Sequence, residues 1–240
     1  MTTTKTAIVT GASSGIGLGV TTALLKHGYR VVANSRQVTR AGTLIASTDL
    51  ALVDGDIAHP ETAQNLVETA MRRFGSVDLL VNNAGIFISK PFTDYTTEDF
   101  DRLVSTNLAG FLYVTQQAVR QMRTQGAGHI VNISTSLADQ PIAEVSAAIP
   151  VLTKGGLNAV TAALAIEFAG EGIRFNAIGA GIIDTPMHKP ETHEFLKSLH
   201  PIHRIGNVSE IVDAVLYLTE ATFVTGEVLH VDGGAHAGKW

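Results

Sequence analysis

The hydrophobic pattern of the chain constrains its fold most strongly. Short apolar runs alternate with longer segments of helical period from one end of the sequence to the other. This pattern is typical of repeated β-α units that build a parallel sheet. It predicts strands at 6–10, 29–34, 50–54, 78–82, 129–134, 173–178 and 227–231, and helices at 15–27, 61–74, 97–124, 150–170 and 208–219. We therefore expect an α/β fold with a doubly wound, seven-stranded parallel sheet and helices on both faces.

The length and composition limit the number of domains and the kinds of partner. The chain has 240 residues, no cysteine and no linker rich in proline, glycine or serine. A single domain over residues 1–240 is therefore the expected organisation. The lack of cysteine excludes disulfide scaffolds, thiolate metal sites and cysteine nucleophiles. A net charge of −5 argues against a nucleic-acid partner, because such proteins bind by neutralising phosphates.

The N-terminal and apolar segments predict a soluble cytoplasmic protein. Residues 1–5 are polar and lead directly into the first apolar run, so they do not resemble a secretory signal. No uninterrupted run of about 18 apolar residues occurs, and no basic amphipathic helix is recognisable. We therefore expect no membrane contact.

Residues 184–206 differ in kind from the rest of the chain. Three prolines and four histidines interrupt an amphipathic pattern there, which is typical of an insertion or lid. The histidines are His188, His193, His200 and His203. Their separations within a proline-broken segment, without a carboxylate cluster nearby, do not match a metal-ligand motif, and we expect no metal site.

A glycine-rich turn follows the first predicted strand and leads directly into the first predicted helix. It reads Thr10-Gly11-Ala12-Ser13-Ser14-Gly15-Ile16-Gly17. Gly11 allows a tight turn, while Gly15 and Gly17 let backbone N–H groups and the helix N-terminus approach a pyrophosphate. Glycines also serve ordinary turns, but this placement favours a dinucleotide site.

The end of the second strand indicates which dinucleotide is preferred. An acidic residue usually holds the ribose 2′-hydroxyl at this point, and none is present in Asn34-Ser35-Arg36. The guanidinium of Arg36 is suited to pair with a 2′-phosphate, which favours NADP over NAD. The alternative is an arginine that simply faces solvent after a strand.

Further motifs follow in order along the chain. They are Asp56-Ile57, Asn82-Asn83-Ala84-Gly85, Asn107, the segment Gly181 to Thr185 preceded by Ala180, and Gly226 with Val231-Asp232-Gly233-Gly234. With the glycine-rich turn, they resemble the short-chain dehydrogenase/reductase family along essentially the whole chain. Ala180 departs from the proline of the family pattern. The resemblance implies a Rossmann-type fold and NADP held by Gly11, Ser13, Ser14, Gly15, Ile16, Gly17, Ser35, Arg36, Asp56, Ile57, Asn83, Ala84, Gly85, Lys154, Gly181, Ile183 and Thr185.

Several of these motifs have a simpler explanation. Residues 82–85 are also suited to an ordinary turn at a strand end. Thr185 is also placed to cap a helix ahead of Pro186. Asn107, within a predicted helix, is also suited to bond a buried carbonyl.

The resemblance further implies hydride transfer between a nicotinamide and a carbonyl carbon. In the family a tyrosine gives the proton, a lysine four residues later lowers its pKa and holds the ribose, a serine positions the carbonyl, and an asparagine supports a water relay. Lys154 and Asn107 match two of these positions. Pro150 stands where the tyrosine is expected, and no tyrosine occurs between Tyr113 and Tyr217.

The remaining catalytic positions stay open on sequence grounds. The serine maps onto Thr135, with Ser136 as a competing assignment and capping of the strand end as the alternative role. For the proton we consider water bound by Lys154 and Thr135, the phenol of Tyr95, or a histidine of residues 184–206. None of these side-chain donors has a supporting motif.

Two functional hypotheses follow. The first is an NADPH-dependent oxidoreductase that reduces a small-molecule ketone to an alcohol with water or a residue other than tyrosine as proton source. The second is a non-catalytic NADP-binding sensor, or an inactive subunit of an oligomer. The resemblance also implies a homotetramer built through the helices at 97–124 and 150–170.

Overall fold

Seven parallel strands form one sheet in the computed structural model, which describes residues 4–238. The strands are β1 (Thr6–Thr10), β2 (Arg30–Ser35), β3 (Leu50–Asp54), β4 (Leu79–Asn82), β5 (Gly128–Thr135), β6 (Ile173–Ala180) and β7 (Val228–Val231). Their order across the sheet is β3-β2-β1-β4-β5-β6-β7. The predicted doubly wound, Rossmann-type sheet is confirmed. Residues 1–3 and 239–240, which the predicted domain includes, lie outside the described residues.

Helices cover both faces of this sheet. They are α1 (Gly15–Lys26), α2 (Pro60–Phe74), α3 (Thr97–Val104), α4 (Gly110–Gln125), α5 (Ala148–Phe168), α6 (His193–Ser198) and α7 (Val208–Glu220). Leu24 of α1 and Leu218 of α7 belong to the apolar core on one face, and Leu66 of α2 and Met122 of α4 belong to the core on the other. Strands enclosed in this way read as continuous apolar runs, which explains why the sequence revealed them.

The strand order reverses next to β1, and this reversal places the site. Strand β1 pairs with β2 on one side and with β4 on the other. In open parallel sheets the crevice at such a switch point, beyond the carboxyl ends of the strands, is where ligands bind. The glycine-rich turn after β1 and the segment after β4 both open into this crevice.

The helix predicted at 97–124 is divided in the structure. A π-helical turn at Ser105–Ala109 separates α3 from α4 and contains Asn107. Both side-chain ends of Asn107 bond the backbone of Ile86, beside β4. Such turns are frequent at functional sites, and an apolar period alone does not reveal them.

Helix α5 is less buried than its apolar sequence predicts. A sequence that is apolar nearly all round a helix is typical of burial between neighbours, yet Leu152 is 58% exposed and Ile166 is 81% exposed. The helix buries one side, where Leu157 and Ala165 lie, and leaves the other open. With its C-terminal turn, Ala148–Glu171, it is long and apolar enough to cross a membrane by length and composition alone, although a core helix passes the same test.

Residues 184–206 leave the sheet and return to the same point. The N–H of Asp184 donates to the carbonyl of Gly206 at 2.8 Å, and the N–H of Gly206 donates to the carbonyl of Ile182 at 2.8 Å. Between these ends the segment contains helix α6 and a short 3-10 turn at Pro190–Thr192. Its two ends are therefore pinned together while the middle projects beyond the carboxyl edge of the sheet.

Candidate functional site

The turn between β1 and α1 has glycines at positions where a side chain would not fit. Gly11 and Gly15 have φ values of 67° and 52°, which lie in the left-handed region that favours glycine. A Cβ on Gly17 would lie 2.2 Å from the carbonyl oxygen of Gly11. Ser14, the N-cap of α1, makes no side-chain capping bond, so the N–H groups of the first helical turn have no partner from it. This geometry fits a pyrophosphate at the helix N-terminus.

The segment after β4 is tied directly to this turn. The hydroxyl oxygen of Thr10 accepts the N–H groups of Asn83 and Ala84, each at 3.0 Å. The side-chain amide of Asn83 donates to the carbonyls of Thr10 at 2.9 Å and of Gly11 at 3.3 Å. A Cβ on Gly11 would come within 2.8 Å of that amide nitrogen, so only glycine allows this approach. The 83–85 segment is therefore packed directly against the glycine-rich turn.

A third segment closes the crevice from the other side. Gly181 follows β6 beside His200, whose Nε2 accepts the N–H of Ile182 at 3.0 Å. A Cβ on Gly181 would lie 2.7 Å from this nitrogen. The methyl group of Thr185 would be 3.1 Å from a Cβ on Gly15. The 181–185 segment therefore reaches the phosphate turn itself.

The adenine end of the crevice lies beyond β2 and β3. Ser35, Arg36, Asp56 and Ile57, which the motifs assign to the nucleotide, line it. Arg40 lines it as well, although it belongs to none of the sequence motifs. A second arginine four residues after Arg36 was the available signal, but its meaning depends on the path of the connection between β2 and β3.

One continuous cleft of about 1260 Å³ joins most of the predicted residues. Of the predicted residues, Gly17, Asn107 and Tyr95 do not line it. Thr135, Ser136 and Lys154 line it at the end away from Arg36, together with apolar side chains that sequence reasoning missed. The apolar group includes Phe87, Ile142, Val145, Met187, Phe195, Leu196 and Leu199.

Lys154 is the central cation of this end. Its Nζ donates to the carbonyl of Ile133 at 2.7 Å, and a Cβ on Gly85 would approach Nζ to 3.0 Å. Burial penalises the charged form and lowers the pKa of Lys154 to about 8. The residue as a whole is half-buried and lines the cleft.

Asn107 lies behind Lys154 and hydrogen-bonds two neighbouring segments. Its Oδ1 accepts the N–H of Ile86 at 2.9 Å, while its amide donates to the carbonyl of Ile86 at 3.0 Å and to the hydroxyl of Thr153 at 3.1 Å. These bonds match the simpler reading of Asn107 as a residue that satisfies buried backbone. They also link the π-helical turn before α4 to the segment after β4 and to α5.

Two hydroxyl groups compete for the carbonyl-positioning role, and the structure separates their surroundings. The Oγ1 of Thr135 accepts the N–H of Leu137 at 3.3 Å, so it caps a short turn while its own hydrogen stays free. Ser136 is 4% exposed. The preceding Ser134 donates to the carbonyl of Lys154 at 3.0 Å and ties β5 to α5.

Neither Pro150 nor Tyr95 faces the cleft. Pro150 is buried in the first turn of α5, where a missing N–H is tolerated, and its carbonyl accepts the hydroxyl of Thr153 at 3.1 Å. The hydroxyl of Tyr95 donates to the carbonyl of Ile88 at 2.7 Å. Burial is the main cause that raises the pKa of Tyr95 above its ordinary value. The structure therefore does not bring Tyr95 to the catalytic end.

The four histidines of residues 184–206 fall into two pairs. His188 and His200 line the cleft, whereas His193 and His203 do not. Burial lowers the pKa of His188, and the nearby His193 lowers it further. Burial also lowers the pKa of His200, whose Nε2 already accepts a backbone N–H. Among residues 4–238, no group of three or more His, Asp or Glu side chains is placed to hold a metal ion.

Comparison with known proteins gives matches over almost the whole chain. A family model described as enoyl-(acyl carrier protein) reductase matches residues 11–236. The chain is 36% identical to the granaticin polyketide synthase putative ketoacyl reductase 2 of Streptomyces violaceoruber, covering 96% of this chain and 95% of that protein. It is 31% identical to the 3-oxoacyl-(acyl-carrier-protein) reductase FabG of Staphylococcus aureus, covering 98% of this chain and all of that protein (100%).

Solved structures match equally well. The structure of ElxO with NADP bound superposes with a TM-score of 0.91 at 29% identity, covering 98% of this chain and 100% of that one. The 3-ketoacyl-(acyl-carrier-protein) reductase of Brucella melitensis complexed with NADH superposes with a TM-score of 0.89 at 31% identity, covering 97% and 98% of the two chains.

Proposed function

The chain belongs to the short-chain dehydrogenase/reductase family, and from this premise we propose that it is an NADPH-dependent oxidoreductase that reduces a small-molecule ketone to an alcohol. The observation that carries the proposal is the single cleft, which joins an intact dinucleotide cradle to Thr135 and Lys154. Relatives named as ketoacyl reductases and a structural neighbour solved with NADP support it.

The residues at the two ends of the cleft have separate tasks. When bound, NADPH supplies a hydride from C4 of its nicotinamide. The N–H groups at the start of α1 would hold the pyrophosphate, and Arg36 would pair with the 2′-phosphate. The 181–185 segment, anchored by His200, would lie against the nicotinamide end. Thr135 donates its free hydroxyl hydrogen to the substrate carbonyl and fixes its orientation, with Ser136 next to it.

We place the proton source at Lys154. One N–H of its ammonium is occupied by Ile133, and two remain for the cleft. A pKa of about 8 leaves the group protonated at neutral pH and able to release a proton. The proton passes through a water held by Lys154 and Thr135 and ends on the carbonyl oxygen. His188 is less suited, because its lowered pKa leaves it neutral at pH 7.

The direct test is turnover. Purified protein is mixed with NADPH and a panel of activated ketones, and loss of nicotinamide absorbance is followed. We expect slow but saturable reduction of at least one ketone. Tight NADPH binding without turnover on any of them would refute the reductase proposal.

Pro150 favours a second candidate, a non-catalytic NADP-binding sensor or an inactive subunit of an oligomer. The family tyrosine is replaced there by a residue with no proton to give. The apolar side chains of residues 184–206 argue for the enzyme, because they line the cleft at the end where a substrate would lie. Binding without turnover is the outcome that would support the second candidate.

The preference for NADP has its own test. Arg36→Ala should weaken binding of NADPH much more than binding of NADH, because only NADPH carries the 2′-phosphate. Dissociation constants for both nucleotides, measured by the change in nicotinamide fluorescence, give the answer. An equal loss for both would contradict the role of Arg36.

We also propose the organisation of the working protein. Residues 1–240 form one domain, and residues 184–206 act as a lid over the cleft. The exposed apolar side chains Leu112 of α4 and Leu152 and Ile166 of α5 support a homotetramer that covers them, working in the cytoplasm. Light scattering after gel filtration measures the mass, and a monomer at micromolar concentration would contradict the assembly.

A further inference from the structure

The connection between β2 and β3 contains no helix. Parallel strands are usually joined by a crossover helix, but residues 36–49, which we name the strap, form only turns, bends and irregular backbone. Without helical hydrogen bonds, the position of an exposed connection depends on the few side chains that anchor it. Two of these anchors are apolar, since Val38 and Leu44 are buried in the core.

Two hydrogen-bonded anchors lie beside the arginines. Asp54, the last residue of β3, accepts the N–H of Thr39 at 2.9 Å through Oδ1 and the hydroxyl of Thr39 through Oδ2. The hydroxyl of Thr43 donates to the carbonyl of Ser13 in the phosphate turn at 3.0 Å. One anchor therefore fixes the strap to β3, and the other fixes it to the cradle.

The arginines flank the first anchor. Arg36 precedes Thr39 in the strap and Arg40 follows it directly, and both line the cleft. Within residues 4–238, neither guanidinium forms an ion pair within 4 Å. The hydrogen bonds from Thr39 are the main cause of the lowered pKa of Asp54, and Arg40 lowers it further. Asp54 therefore interacts with Thr39 by contact and with Arg40 by charge.

We propose that the bond between Thr39 and Asp54 positions the strap so that Arg36 and Arg40 face one 2′-phosphate together, which makes Thr39 and Asp54 positioning residues for NADP specificity. Neither residue touches the nucleotide in this proposal. The inference rests on the proposed preference for NADP. It does not depend on catalysis, because binding alone reveals it.

The experiment compares nucleotide affinity in four variants of the whole protein. Thr39→Val keeps the β-branched shape and removes the hydroxyl, whereas Thr39→Ser keeps the hydroxyl. Asp54→Asn keeps an acceptor for the N–H of Thr39 and removes the charge. Thr48→Val is the matched control, because the hydroxyl of Thr48 in the same strap contacts only Asp49, at 3.4 Å. Dissociation constants for NADPH and NADH are measured by fluorescence, and the melting temperature is recorded for each variant.

We expect Thr39→Val to weaken NADPH about tenfold and NADH less than twofold, the loss typical of one hydrogen bond to a charged group. Thr39→Ser should restore wild-type affinity, and Thr48→Val should leave it unchanged. Asp54→Asn should weaken NADPH by less than Thr39→Val does, because the carboxamide can still bond Thr39.

Three results would overturn the proposal, and they are distinguishable. An equal loss for both nucleotides with a lower melting temperature would show a merely structural role for Thr39. Tighter NADPH binding in Asp54→Asn would show that Asp54 only competes for Arg40. Wild-type protein that binds NADPH and NADH equally would refute the proposed NADP preference and this inference together, whereas the first two results leave that preference intact.

Discussion

The two ends of the cleft are built in different ways. At the proposed nucleotide end, the turn between β1 and α1 presents mainly backbone, with glycines at positions where a Cβ would collide, as at Gly17. The opposite end consists of side chains, namely Thr135, Ser136 and Lys154, and Pro150 stands four residues before Lys154. A backbone site requires the same few glycines whatever reaction follows. A side-chain site changes its chemistry with one substitution, so the two ends can diverge independently.

The largest expected effect concerns the side-chain end. Lys154→Met should lower kcat for ketone reduction by about 100- to 10,000-fold, the usual contribution of a general acid. In the wild-type protein the rate should be constant below pH 8 and fall as the pH rises through about 8, because the ammonium that gives the proton is then lost. Initial rates between pH 6 and 10 measure this profile. A wild-type rate that does not fall above pH 8 would exclude Lys154 as the donor.

Lys154→Met should also change the stability of the protein, which can be measured without turnover. Burial disfavours the charged form of Lys154, so its folded-state pKa lies below the unfolded value. The resulting destabilisation is fully present below pH 8 and disappears as the pH rises towards the ordinary lysine pKa near 10.5. Lys154→Met should therefore raise the melting temperature at pH 7, with a smaller gain at pH 10. A gain independent of pH would show that the charge is not the cause.

The backbone end is probed by adding one carbon atom. Gly17→Ala should weaken NADPH binding by about 10- to 100-fold, because overpacking against the backbone oxygen of Gly11 must displace the turn. Gly170→Ala is the matched control, since a Cβ there meets nothing within 4 Å. Titration of nicotinamide fluorescence measures both variants. Similar affinities in the two would mean that the turn does not hold the nucleotide.

A smaller effect is expected at Thr135, the proposed carbonyl-positioning residue. Thr135→Val should lower kcat/KM about tenfold, because one hydrogen bond to the substrate oxygen is lost, while NADPH affinity stays constant. Thr135→Ser should keep most of the activity. If Ser136→Ala is the damaging change instead, the serine position of the family maps onto Ser136.

The smallest effect is expected at Tyr95. Tyr95→Phe should leave kcat unchanged within about twofold, since its hydroxyl bonds Ile88 outside the cleft lining. Loss of one hydrogen bond should lower stability by about 1 kcal/mol. Rates and urea denaturation measure the two quantities. A large fall in kcat with unchanged stability would indicate that Tyr95 is the proton donor.

The fold was predictable from the sequence because enclosed parallel strands carry a strong apolar signal. All seven predicted strands are present, with ends that differ by at most two residues. The predictions failed where a local feature depends on contacts between distant segments. The π-helical turn at Asn107 and the open face of α5 are both of this kind, because an apolar period does not report what lies opposite it.

The sequence by itself determined the sheet, the glycine-rich turn and the proline four residues before Lys154. These features depend on residue type and on spacing along one stretch of chain. Only the tertiary structure decided which titratable side chains outside the family motifs line the cleft. It placed His188, His200 and Arg40 along the cleft, and it turned Tyr95 towards Ile88. The physical reason is that loop residues acquire their neighbours from the path of the backbone, and this path is fixed by anchors far apart in sequence, such as Asp54 for Thr39 and Gly206 for Asp184.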